Sequence, residues 1–223
     1  MMLAADFLSK PMKIGSDSVS VLSVENKKLY RDIVGAFVDE HPEEMNIVFS
    51  QDFKPFKYKG NVCFVNDYYK LDLSSAIIKK LYENLERFCN DEMQEETNAL
   101  KVQIFNFLDR LVLNYDYDFN YSLDINIVDL FKIQNLKPYI TSKNLLCSLL
   151  DFLVIIKKYT HIRCFVLLNL HLYFTDEEIV HLYEDLIYND ISVLVLENSS
   201  NFSKSKFETI RIIDNDLCEI VEK

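Results

Sequence analysis

The sequence predicts an α/β protein: a mainly parallel sheet with an inserted helical hairpin. Three observations lead there. Arg163–Leu170 and Ile191–Leu196 are short apolar runs without alternation, the habit of strands buried on both faces. Between them, Thr175–Asp176–Glu177–Glu178 forms the T-x-x-E capping box that opens a helix, with Ile179, Leu182, Leu186 and Ile187 on one face. Strand, helix and strand with short connections make a βαβ unit, which is right-handed almost without exception. Third, two amphipathic helices interrupt an otherwise strand-rich order between residues 71 and 114.

The elements follow in order. Val19–Val24 (V-S-V-L-S-V) largely alternates and reads as a strand. Asn26 is placed to cap a helix over Lys27–Phe37, with Leu29, Ile33, Val34 and Phe37 inside. Asp39–Glu44 is an acidic loop broken by Pro42, and Asn46–Ser50 is a strand. Phe53–Gly60 (F-K-P-F-K-Y-K-G) interleaves lysine with aromatics in hairpin chemistry, and Pro55 confines it to an edge. That run reads either as a nucleic-acid contact or as an edge guarded by lysines against aggregation. Val62–Val65 is a further strand.

Asp72 or Ser74 caps a helix reaching Cys89, with Ile77, Ile78, Leu81, Leu85 and Phe88 as its stripe. After a polar, acidic link, a second helix over Ala99–Leu113 turns Leu100, Ile104, Phe107, Leu108, Leu111 and Val112 inward. Such a pair packs antiparallel, and its outer side is either an oligomer contact or covered by the sheet. Ile125–Ile133 reads as a short helix and Leu136–Ile140 as a strand. Ser142–Lys158 reads as a long apolar helix capped by Ser142. Asn198–Lys206 is a polar loop, and Ile210–Ile213 an edge strand. The expected organisation is an α/β head over 1–70 and 115–223, with a helical leg over 71–114.

Composition limits the function classes. With 223 residues and 49% hydrophobic content, the chain can bury a core without staples. No apolar stretch approaches the ~20 residues that span a bilayer, and Met1–Lys10 lacks the basic start of a secretory signal, so a cytoplasmic location is expected. The five cysteines show no C-x-x-C spacing, so buried reduced thiols are expected. His41, His161, His171 and His181 form no metal-binding pair. A net charge of −11 speaks against a generic nucleic-acid binder but leaves room for a local basic surface.

Candidate sites are few. Ligands of open α/β sheets gather beyond the carboxyl ends of the strands, where this chain carries Asn169, His171, Glu197 and Asn198. These residues read either as a nucleotide or phosphate site or as polar residues entering loops. Asp116, Asp118, Asn120, Ser122 and Asp124 alternate in D-x-D-x-N-x-S-x-D, imitating the start of a calcium loop. Tyr121 stands where that loop needs glycine and Ile127 where it needs a bidentate glutamate, so it is no EF-hand. No G-x-x-x-x-G-K-[ST] or G-x-S-x-G motif is present, and three scattered glycines cannot cradle a phosphate.

The run Leu73–Glu86 (L-S-S-A-I-I-K-K-L-Y-E-N-L-E) resembles the N-S-S-x-I-L-K-L-I-x-x-D-L-E stretch of the Csn family, the small fourth adaptation protein of type II-A CRISPR–Cas loci. Ile125–Lys132 resembles its I-T-I-L-E-L-I-K segment, Phe165–Asn169 followed by Tyr173–Glu178 its F-V-N-S-G-A-Y-L-T-K-D-E, and Val193–Glu197 its V-L-F-L-E. Phe7–Pro11 and Val19–Val24 match in placement, so the resemblance is collinear over nearly the whole chain.

The resemblance implies a head similar to P-loop ATPases without the P-loop, and a helical leg. It implies a non-catalytic homotetrameric ring that holds double-stranded DNA ends through a lysine-lined hole. The ring is stabilised by Ca2+ and acts in spacer acquisition beside the integrase and effector nuclease of the same locus. Carried over residue by residue, Lys79, Lys132 and Lys137 are the DNA candidates. Asp116 and Asp118 fall on the family's acidic run and, with Asp124 of the same alternation, are the metal candidates, while Asn120 stands where the family has glutamate, which weakens the site. The alternative is a degenerate or unrecognised nucleotide-dependent enzyme using Asn169 and Glu197.

Overall fold

The structure is a computed structural model that describes residues 1–122, 124–140 and 144–222. In chain order the elements begin with β1 (Met2–Ala4), β2 (Met12–Lys13), β3 (Val19–Val24) and α1 (Lys27–Val38). A 3-10 turn at Pro42–Met45 leads to β4 (Val48–Gln51), β5 (Lys54–Phe56) and β6 (Val62–Val65). Then come α2 (Ser75–Asp91), α3 (Gln94–Val112), α4 (Ile127–Ile133) and α5 (Leu145–Tyr159). The chain closes with β7 (Cys164–Leu168), α6 (Leu170–Tyr173), α7 (Asp176–Tyr188), β8 (Val193–Glu197), β9 (Glu208–Ile213) and β10 (Glu219–Glu222).

Two compact units result: Met1–Asp72 with Ile140–Lys223, and Leu73–Tyr139. The first holds a six-stranded sheet in the order β10-β9-β3-β8-β7-β6. It is parallel apart from β10, with Val21 opposite Val195 on one side and Ile210 on the other. The fold is therefore mixed α/β with a mainly parallel sheet. All six residues of β3 and all five of β8 are buried, as strands covered on both faces require. The expected βαβ unit is present: β7 and β8 lie side by side and parallel, joined through α7. Its capping box is complete, with Thr175 Oγ1 accepting from the Glu178 amide and Glu178 accepting from the Thr175 amide. Asn26 caps α1 by accepting from the Leu29 amide at 3.0 Å, and Ile33 and Phe37 are buried.

A second, antiparallel sheet in the order β2-β1-β4-β5 belongs to the same unit. Its inner side joins the main core through Leu3, Met12, Phe49 and Tyr58. Phe37 of α1 stacks on Tyr58 at 5.6 Å, and the Tyr58 hydroxyl donates to the Phe37 carbonyl at 3.2 Å. That bond satisfies the phenol's polar end inside the core.

Several expectations change. Ile210–Ile213 is not an edge: β9 lies between β3 and β10, and the outer strand Glu219–Glu222 gave no clear apolar signal. Residues 136–140 form no strand; Lys137 and Tyr139 are exposed, and Pro138 lacks the amide a ladder needs. The long helix starts at Leu145, where Asn144 accepts from the Leu146 and Cys147 amides; the expected cap, Ser142, lies outside the described residues. Of the cysteines only Cys164 is buried, while Cys147 and Cys218 are exposed.

In the second unit α2 and α3 are joined through Glu92–Met93, and Thr97 Oγ1 donates to the Cys89 carbonyl at 3.2 Å near that link. The unit runs past residue 114 to Tyr139 because α4 packs on α2, with Tyr82 and Phe131 rings 5.8 Å apart. Ile77, Leu81 and Tyr82 of α2 are buried. The expected inner stripe of α3 is only partly covered: Ile104, Leu108 and Val112 are half-buried, Leu100, Phe107 and Leu111 are exposed, and Thr97 is the buried residue of that helix. Among the described residues no helix is long and apolar enough to cross a membrane.

Candidate functional site

A closed polar cluster reaches from the carboxyl end of β8 to the amino end of β9. Glu197 ends β8, and its side chain is buried. Asn169 follows β7 in the left-handed conformation, φ 51° and ψ 48°, a region asparagine tolerates better than most residues. That bend directs the chain into α6 and places His171 over Glu197. The His171 amide donates to Glu197 Oε1 at 3.0 Å, and its Nδ1 lies 2.7 Å from the same oxygen. On its other side His171 Nε2 lies 3.0 Å from Glu208 Oε1, at the start of β9.

Both ring nitrogens face carboxylate oxygens, which accept only, so the ring is the doubly protonated cation. Burial pulls the His171 pKa down, but hydrogen bonds to Glu197 and then Glu208 outweigh it and raise it to about 9. Tyr183 of α7 donates to Glu208 Oε1 at 2.7 Å, and burial beside that carboxylate holds its phenol protonated. The Ser205 amide donates to Glu208 Oε2 at 3.0 Å, and the Phe202 ring stacks on His171 with centroids 3.9 Å apart. The cluster thus ties the 198–207 loop to α6 and to the start of β9.

Asn169 is engaged too: the Tyr30 hydroxyl donates to its Oδ1 at 2.7 Å. Burial pushes the Tyr30 phenol up to about 12. Asn198 is exposed. Asn169 and Glu197, the candidates for nucleotide chemistry, therefore serve neighbouring side chains. The passage from β3 into α1 is Glu25–Asn26, with no glycine to let a backbone wrap a phosphate. Sequence reasoning placed His171 and Glu197 at the strand ends but missed Glu208, Tyr183 and Phe202. A glutamate opening an apolar strand is the one signal that marks Glu208.

The basic candidates lie in the second unit. Lys79 of α2 and Lys132 of α4 line one open cleft of ≈ 450 Å³ together with Ser75, Tyr82, Asn126 and two carboxylates, Glu83 and Glu86. Asn126 caps α4 by accepting from the Val128 amide at 2.9 Å, which sets where Lys132 projects. Each lysine is exposed beside a carboxylate: Lys79 Nζ lies 4.0 Å from Glu83, and Lys132 Nζ 2.8 Å from Asp129. Exposed pairs of this kind are worth only ~0.2–1 kcal/mol, so a phosphate can displace the carboxylate. Lys137 is exposed outside the cleft-lining set.

The acidic segment does not converge. Asp116, Asp118, Asn120 and Asp124 are exposed in irregular chain rather than in a strand. The alternation shows in their neighbours instead: Tyr115, Tyr117 and Phe119 pack as a ring triad with centroids 5.0–5.6 Å apart. Among the described residues no group of three or more His, Cys, Asp or Glu is placed to hold a metal ion.

Comparison with known proteins adds the following. The family described as CRISPR-associated protein (Cas_Csn2) matches residues 39–217. No curated protein matches. Among solved structures, a putative ABC transporter (ATP-binding protein) from Pyrococcus furiosus is similar, with TM-score 0.40 and 9% identity over 94% of this chain and 97% of that one.

Proposed function

We propose, from the premise that this chain belongs to the family of the CRISPR-associated protein Csn2, that it is a non-catalytic ring-forming protein. In this reading it binds double-stranded DNA ends during spacer acquisition. The family match over residues 39–217 carries this reading. The meeting of Lys79 and Lys132 at one cleft supports the choice of DNA-contacting residues, with Lys137 as a third candidate. A chain of net charge −11 repels DNA over most of its surface, so contact must be confined to a local basic zone. Repetition by symmetry multiplies a few lysines into such a zone.

Assembly into a homotetramer is part of the proposal. Leu100, Phe107 and Leu111 of α3, Phe88 of α2 and Leu113 beyond α3 are exposed apolar side chains of the kind a subunit interface buries. Calcium enters as a ligand of the assembly, with Asp116, Asp118 and Asp124 as one subunit's contribution. The integrase and effector nuclease of the same locus are the proposed partners. The nucleotide-dependent alternative draws no support, since Asn169 and Glu197 are engaged by Tyr30 and His171.

The test is a competition gel shift with relaxed circular and linearised forms of one plasmid. Preference for the linear form is expected, with affinity falling by orders of magnitude between about 50 and 200 mM salt. Equal binding to circle and line refutes the encircling reading.

A further inference from the structure

The β4–β5 hairpin holds a feature that neither the core nor the proposed DNA cleft explains. Gln51 pairs with Lys54, so the turn is two residues, Asp52 and Phe53. Both have positive φ, 50° and 62°, the pattern of a type I′ turn that favours glycine at its second position. Here that position holds phenylalanine, and its ring is fully exposed, at 101% of the reference area. A bulky residue in left-handed backbone is costly, and this one recovers nothing by packing.

Around it the surface is basic. Lys54 and Lys57 are exposed. The Arg163 guanidinium lies 4.8 Å over the Phe56 ring and donates to Gln51 Oε1 at 3.3 Å, which fixes a third cation at the same edge. Lys59 is held by Glu40 at 2.7 Å, leaving Asp52 as the carboxylate of the hairpin itself. Lysines guarding a sheet edge would account for the charge. They would not account for a strained, solvent-facing phenylalanine between the strands.

We propose that this hairpin is a contact for single-stranded nucleic acid, in which Phe53 stacks on an unpaired base while Lys54, Lys57 and Arg163 meet the flanking phosphates. Charge complementarity selects a polyanion: three cations gather on one edge of a chain of net charge −11. Acidic surface elsewhere is screened beyond ~8–10 Å at physiological salt. The exposed ring selects unpaired bases, since every base has a face to stack and a blunt duplex hides all but those of its terminal pairs. The contact deepens the DNA reading, because an unpaired strand at a DNA end presents both chemistries. It lies in the unit that does not contain the Lys79–Lys132 cleft.

The full chain is titrated into a labelled oligo-dT of about 15 nucleotides and, separately, a labelled blunt duplex, followed by fluorescence anisotropy. Phe53→Gly is the informative change, because it relieves the backbone while removing the ring. The expected result is a melting temperature equal to or above wild type, with single-strand affinity reduced about tenfold. Phe53→Tyr keeps a stacking face and should retain the affinity. Lys54→Gln with Lys57→Gln should weaken binding and flatten its salt dependence, the slope falling by ~0.7 for each phosphate no longer neutralised. Blunt-duplex binding should be unchanged in all of these and reduced by Lys79→Ala with Lys132→Ala. No single-strand binding by wild type, or equal binding by Phe53→Gly, overturns the hairpin contact. Competition by polyglutamate as strong as by oligo-dT overturns it in favour of an acidic protein partner. A wild type that binds the single strand but not the duplex leaves the hairpin standing and removes the cleft.

Discussion

Replacing His171 by leucine should be among the most damaging single changes in the sheet-bearing unit. His171 lies between Glu197 and Glu208 at 2.7 and 3.0 Å, and all three side chains are at most 5% exposed. Leucine conserves much of the volume but leaves two carboxylates facing each other without a cation. Each charge-assisted hydrogen bond contributes ~1.5–3 kcal/mol, so two give ~3–6. Removing one partner of a buried ion pair costs ~3–5 kcal/mol by a separate route, so the two ranges agree. Tyr183 still donates to Glu208, which offsets part of the loss and sets the expectation near the low end, ~3 kcal/mol. For a chain of this size that lowers the melting temperature by ~6–12 °C. The assay is thermal unfolding by circular dichroism at pH 7.

The pH dependence gives a second readout. The folded-state pKa of His171 is raised to about 9 from the usual 6.5, so its stabilisation is fully present below 6.5 and is lost as pH climbs towards 9. Wild type should therefore lose stability over that window relative to His171→Leu, and the gap between them should narrow. A variant melting within 2 °C of wild type, or a gap constant from pH 6 to 9, refutes the buried-cation reasoning.

Other outcomes follow from the same structure. Thr175→Ala removes the oxygen that accepts from the Glu178 amide and should cost ~1 kcal/mol, read as a loss of ~2–4 °C. Ser23 Oγ is buried with no partner among the described residues, so Ser23→Ala should stabilise by ~1 kcal/mol; a lowered melting temperature would show a hidden partner. Lys79→Ala and Lys132→Ala should each weaken duplex binding several-fold while leaving the melting temperature within 2 °C, because both side chains are exposed. If Asp116, Asp118 and Asp124 hold calcium in the assembly, millimolar calcium should raise its melting temperature over chelator, and charge-removing changes at these positions should abolish the difference.

The sequence was legible where an element's cause lies within it or in an adjacent one. The V-S-V-L-S-V run is strand β3, Asn26 caps α1, and T-D-E-E opens α7, because each signal acts over a few residues. The parallel sheet followed from two unalternating apolar runs, since only burial on both faces tolerates them. What failed depended on distant partners. His171 meets Glu208 across 37 residues, and Tyr82 donates to the Phe131 carbonyl across 49. Neither pairing leaves a local pattern, so the strand-end cluster and the docking of α4 on α2 stayed hidden. The stripe of α3 was read correctly as apolar, but only Ile104, Leu108 and Val112 of it are partly covered, since periodicity gives a face and not its occupant.

The hairpin combines both cases. Its lysines were visible in the sequence, and they permitted two readings that charge alone could not separate. Edge protection needs short strands, cations and a proline, all of which β5 has. It does not need a side chain larger than glycine at the second turn position. The left-handed φ of Phe53 therefore separates the readings, because a cost with no structural return points to a use outside the fold. Phe53→Gly tests that inference most directly: edge protection predicts a protein more stable and equally able to bind, and nucleic-acid contact predicts one more stable and less able to bind.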